Sequence, residues 1–138
     1  QVGWRHGVAH GADLAMQLTL NPALGRAQQL QLLQAIARQV APTHAYQFGE
    51  PGRLARPVLF IARREELEQQ DWQVWFEELT DPAPLQGREA AWQDADGLAR
   101  RHNLRAFALE IYLNATLSEQ PGIQALQPHA LEVIQALR

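Results

Sequence analysis

The stretch Gly3-Trp4-Arg5-His6-Gly7-Val8-Ala9-His10-Gly11-Ala12-Asp13 decides how this chain is read. It carries helical period, with His6, His10 and Asp13 at i, i+4 and i+7. At about 100° per residue the three share roughly 60° of arc on one face, and Gln17 extends the stripe. Trp4, Val8, Ala12, Leu14, Ala15 and Leu18 occupy the other sides. A polar stripe on a helix that is otherwise largely apolar is satisfied either by water or by a partner or ligand. Gly3, Gly7 and Gly11 repeat every fourth residue beside it. Each interior glycine costs up to ~1 kcal/mol relative to alanine, so this ridge predicts a neighbouring helix packed very close.

Outward from this stretch the helical period continues almost everywhere, and no run of alternating β-branched residues predicts a strand. The first helix is expected from Trp4 to Leu20, ended by Asn21-Pro22. A second, from Leu24 to Val40, places Leu30, Leu33, Ile36, Ala37 and Val40 on one face and stops before Pro42. Glu50-Pro51 reads as a helix start, with proline at the first helical position and Leu54, Val58 and Ile61 inward. Pro57 either kinks that helix or marks a second start. Glu65 to Leu79 carries Trp72, Trp75, Phe76 and Leu79 at i, i+3, i+4 and i+7, an aromatic face suited to a core. Asp81 to Gly87 reads as a loop, followed by a long helix from Arg88 to Leu117. Its expected inner side is Ala95, Leu98, His102, Ala106, Leu109 and Tyr112. Pro121-Gly122 breaks it, and a last short helix carries Leu131, Ile134 and Leu137. The expected fold is therefore all-α, an irregular array of five or six antiparallel helices of HEAT-like, solenoid-like type.

Composition narrows the function. The chain has 138 residues, 12 basic against 15 acidic, and a formal net charge of -3. That balance, with only the doublets Arg63-Arg64 and Arg100-Arg101, gives no basic stripe for nucleic acid. No cysteine is present, which removes disulfides, thiolate metal sites and a cysteine nucleophile. No lysine is present either, so Schiff-base and lysine-base chemistry are out, and arginine-only usage suggests a GC-rich bacterial genome. No run of about 18 apolar residues predicts a membrane span, and no signal peptide is visible; the expected location is cytoplasmic. The chain starts without methionine and enters a helical pattern at once. Residues 1–138 are read as a single helical domain, the C-terminal part of a longer protein.

The opening motif Gly3-Trp4-x-His6-x-x-Ala9-His10-x-Ala12-Asp13 resembles the signature of a bacterial family catalogued as domain of unknown function 2785. Gly49-Glu50-x-x-Arg53 resembles that family's acidic-x-x-Arg element. His102-Asn103-Leu104-Arg105-Ala106-Phe107, with Leu109 and Tyr112, resembles its closing helix. The similarity runs from about Gly3 to Leu117. Gly7, Gly11 and the inserted Pro51-Gly52 depart from the pattern. The resemblance implies an all-helical, HEAT-like arrangement with further helices before this chain, and it transfers no activity.

Three readings of the stripe remain side by side. As a metal site, His6, His10 and Asp13 supply three ligands to a divalent ion with an open position for water, the basis of a metal-dependent hydrolase. No glutamate follows His6 as a base, so the pattern falls short of a zincin. As a structural cluster, Asp13 accepts from Arg53 and His10 donates to a backbone carbonyl. As a pocket for a small anionic or polar ligand, His6, His10 and Arg53 supply donors. Glu50, His102 and Asn103 complete the candidate ligand-binding set. A lone histidine on an apolar helix face, as His102 is read, is more often a satisfied core residue than a ligand. Asn103 is suited to fixing a loop backbone. With no complete catalytic constellation, the leading expectation is a non-catalytic binding or scaffold module without a cofactor. Its expected partner is a protein or a second copy covering an apolar face at the end of the array.

Overall fold

The computed structural model describes residues 2–42, 44–47, 49–81 and 95–138, apart from the side chains of residues 2–7 and 9. Helices follow one another as α1 (Val2–Thr19), α2 (Arg26–Val40), α3 (Glu50–Arg63), α4 (Gln69–Leu79), α5 (Ala95–Leu117), the single turn α6 (Pro121–Gln124) and α7 (Gln127–Ala136). No strand occurs among the described residues, as the periodicity predicts. No described helix is long and apolar enough to cross a membrane. The expected loop at Asp81–Gly87 and the helical start at 88–94 lie almost wholly outside the described residues.

α3 is the hub because both of its flanks are apolar. Leu54, Ala55, Val58, Leu59, Ile61 and Ala62 are all buried, so it packs against α1, α2, α5 and α6 together. Pro57 does not mark a second start, because α3 runs unbroken through it. It sits buried inside α3, where its ring lacks only the N–H that would have bonded the Arg53 carbonyl. Helix α3 ends where Glu65 takes a left-handed backbone (φ 56°), with the N–H of Glu65 donating to the Ala62 carbonyl at 3.1 Å. The next helix therefore starts at Gln69, four residues after the start expected from periodicity. Asp71 fixes that start by accepting the N–H of Glu68 at 2.9 Å and the guanidinium of Arg26 at 2.6 Å. The Glu68 backbone bond, and secondarily Arg26, hold the Asp71 carboxyl below its ordinary range.

The aromatic face of α4 is core, as expected. Trp72, Trp75 and Phe76 are buried, Trp75 meets Phe76 edge-on at 5.0 Å, and Trp75 reaches Phe107 of α5 at 6.0 Å. Burial satisfies the indole too, since Trp75 Nε1 donates to the Leu33 carbonyl at 2.9 Å. α5 is turned the other way from expectation. Leu104, Phe107, Ala108, Ile111 and Ala115 are inward, whereas Leu98, His102 and Leu109 are exposed. At 100° per residue the buried and expected faces differ by about half a turn. Apolar residues stand on both sides of this helix, and Phe107 with Ile111 outweighs the leucines for the core position.

Candidate functional site

The polar stripe of α1 does not form a shielded cleft among the described residues. His10 and Asp13 are exposed, and His6 lies outside the described side chains. Arg53 is exposed as well, and the ion pairs described, Arg26–Asp71 and Arg64–Glu66, involve neither Asp13 nor Arg53. No three His, Cys, Asp or Glu side chains gather to hold a metal among the described residues. His102 is exposed, so its reading as a buried core residue is corrected: it lies on the outward side of the rotated α5.

Asn103 and Glu50 are buried instead. Asn103 Oδ1 accepts the N–H of Tyr46 at 2.9 Å, and its Nδ2 donates to the carbonyls of Pro42 and His44 at 3.2 and 2.7 Å. One side chain of α5 thus holds Pro42, His44 and Tyr46, between α2 and α3 in sequence. Glu50 sits at the first position of α3, where the positive end of the helix dipole favours a carboxylate. Burial first, and the Glu50 charge second, push the Tyr46 phenol up to about 12. That keeps Tyr46 a neutral donor to the Gln39 carbonyl. This corner is a structural lock between α2, α3 and α5.

A concave feature among the described residues lies on the other side of α1. Val8, Gly11, Ala12, Leu14, Ala15 and Leu18 of α1 face Leu32, Ala35, Ile36 and Gln39 of α2, with Leu54 of α3 forming the floor. Their groove has a volume of about 490 Å³. On α1 its lining is centred roughly 150° of arc from the His/Asp stripe. It lies where α1 rests mainly on α3, while α2 is shared among α1, α3, α4 and α5. Leu14 remains 64% exposed and Leu18 43%, both at the groove's open edge. The glycine ridge contributes space here: a Cβ on Gly11 would meet nothing within 4 Å. The close helix neighbour predicted from glycine spacing is therefore not found at Gly11 among the described residues. Among the described residues the groove lining offers one polar side chain, Gln39, and no charge. Such a surface can bury apolar groups.

Periodicity missed the groove because it reads one helix at a time. The available signal was the spread of apolar residues around α1, wider than one packed neighbour can cover. A second exposed apolar surface, Leu98, Leu109, Leu113 and Leu117, runs along the outer side of α5.

A family model described as protein of unknown function (DUF2785) matches residues 1–113. No curated protein and no solved structure matches the chain.

Proposed function

The chain belongs to this family of unknown function, and from its structure we propose that it is a non-catalytic binding module whose α1–α2 groove receives an amphipathic helix of a partner protein. The observation that carries the reading is the uncharged apolar lining, open along its length between two helices and floored by a third. Recognition by a helix laid into an apolar groove uses anchors at i, i+3, i+4 and i+7, matched here by the long axis from Val8 to Leu18. That axis covers about 15 Å of helix, two to three turns. Each well-buried aliphatic anchor contributes roughly 2 kcal/mol. Association and side-chain ordering offset much of the sum, leaving a dissociation constant on the order of 10 μM.

The reading treats the helices as an open HEAT-like array in which α1 and α2 form an edge, and such arrays bind partners along edges and concave faces. It is tested by fluorescence anisotropy with a labelled leucine-rich amphipathic peptide. Saturable binding that weakens at least about tenfold in Leu14→Asp supports it, since a charge in an apolar groove costs well over 1 kcal/mol. Equal binding by the parent and Leu14→Asp, or none by either, refutes it.

A further inference from the structure

We propose that Arg64 is a positioning residue for the α1–α2 groove, setting the angle at which the two helices diverge; the inference rests on the groove being the binding site. Arg64 is the C-terminal cap of α3, directly beneath the α1–α2 corner. Its Nη1 donates to the carbonyls of Thr19 and Asn21 at 3.0 and 2.9 Å, and its Nη2 to the carbonyl of Leu24 at 2.6 Å. These belong to the last residue of α1, the connecting turn and the residue just before the cap of α2. Carbonyls at a helix C-terminus have no intrahelical partner, so a guanidinium there takes a role that water would otherwise fill.

A second arm tightens the same corner. Glu66 lies 3.3 Å from the Arg64 guanidinium and also accepts from Gln29 Nε2. That amide nitrogen donates in turn to the Leu24 carbonyl at 3.1 Å, and Gln29 is fully buried. The result is a planar fork held at one end by a carboxylate and spread over three backbone acceptors. Only arginine provides that fork; a lysine ammonium is a compact point charge.

The corner is a lever for the groove. Gly11 lies eight residues before Thr19, or about 12 Å along α1, so a rotation of about 10° at the corner moves it by about 2 Å. α1 rests mainly on α3 while α2 also meets α4 and α5, and this clamp ties the turn between α1 and α2 to the end of α3. A merely structural clamp would lower stability alone. A positioning clamp also changes the spacing of the groove walls.

The test measures that spacing directly. His10 and Gln31 are exposed and the chain has no cysteine, so His10→Cys with Gln31→Cys gives two unique spin-label sites. The parent is expected to give one narrow distance distribution. Arg64→Lys is expected to broaden it and to weaken binding of the amphipathic peptide at least about threefold, through lost preorganisation. His129→Ala, a change at the α4–α7 contact away from the α1–α2 corner, should keep the narrow distribution. An unchanged distribution in Arg64→Lys overturns the inference, as does a broadened one with undiminished peptide affinity. A parent that binds no peptide, with the distances behaving as expected, refutes the groove reading and leaves the clamp in place. Should Arg64→Lys fail to fold, hydrogen exchange of the parent decides: slow exchange at the Leu20, Asn21 and Leu24 amides supports a rigid corner, and free-chain rates there overturn it.

Discussion

Asn103 and Tyr46 are joined across 57 positions of sequence: the carboxamide oxygen of Asn103 accepts the Tyr46 backbone N–H at 2.9 Å. The same side chain donates to the carbonyls of Pro42 and His44, so a fully buried amide is satisfied on both of its atoms. Truncation leaves the part-buried backbone groups of Pro42, His44 and Tyr46 without this partner. Asn103→Ala is therefore expected to destabilise the fold by about 3 kcal/mol. Urea unfolding should show a lower midpoint at unchanged slope. A loss below about 1 kcal/mol contradicts the assignment of this residue as the lock.

Gly122 opens α6 against the end of α3, where a Cβ would lie 2.1 Å from the Ala62 carbonyl oxygen. Backbone cannot yield as a flexible side chain does. Gly122→Ala should cost about 3 kcal/mol and lower the melting temperature by about 10 °C. A melting temperature within a degree or two of the parent would show that α6 does not dock this closely.

Gly11 predicts the opposite sign. A methyl there meets open space, so Gly11→Ala gains helix propensity without a clash and should raise stability by about 0.5–1 kcal/mol. Gly11→Leu should remain folded while occupying the groove and abolishing peptide binding. Loss of stability in Gly11→Ala would mean that the ridge is already packed.

His129 stacks on Phe76 with ring centres 5.4 Å apart and planes 8° from parallel, its Nε2 3.0 Å from Gln69 Oε1. Burial lowers its affinity for a proton, against the opposing pull of Glu132 and Glu77. The native state thus binds the proton less readily than the unfolded chain. The stability this contributes is complete above the ordinary value of 6.5 and is lost as pH falls from there through the lower folded value. Melting curves of the parent and His129→Phe should converge in that acidic direction, the parent losing more. A parent-minus-variant difference that is flat with pH would remove His129 from the account.

Much of the fold was legible because some helices carry a strong run of large apolar residues at helical spacing. Trp72, Trp75 and Phe76 leave α4 no choice, and Leu54, Val58 and Ile61 fix the inner face of α3. α5 was misread for the converse reason: Leu98 and Leu109 compete with Leu104 and Ile111, and only the neighbours decide which pair is covered. The late start of α4 depends on the left-handed backbone at Glu65, which no pattern of side chains announces. At the site, Asn103 was legible as a loop anchor from its chemistry. The His10 and Asp13 stripe drew attention because it is polar, yet both residues are exposed. The groove depends on how far α1 and α2 splay, a tertiary quantity set by contacts such as Arg64 with Thr19.

Amide chemical shifts recorded while the amphipathic peptide is titrated test the central claim most directly, because they report where binding occurs. The groove reading predicts saturable shifts confined to Val8–Leu18, Leu32–Gln39 and Leu54. Shifts centred on Leu109, Leu113 and Leu117 of α5, or none anywhere at millimolar peptide, would contradict it.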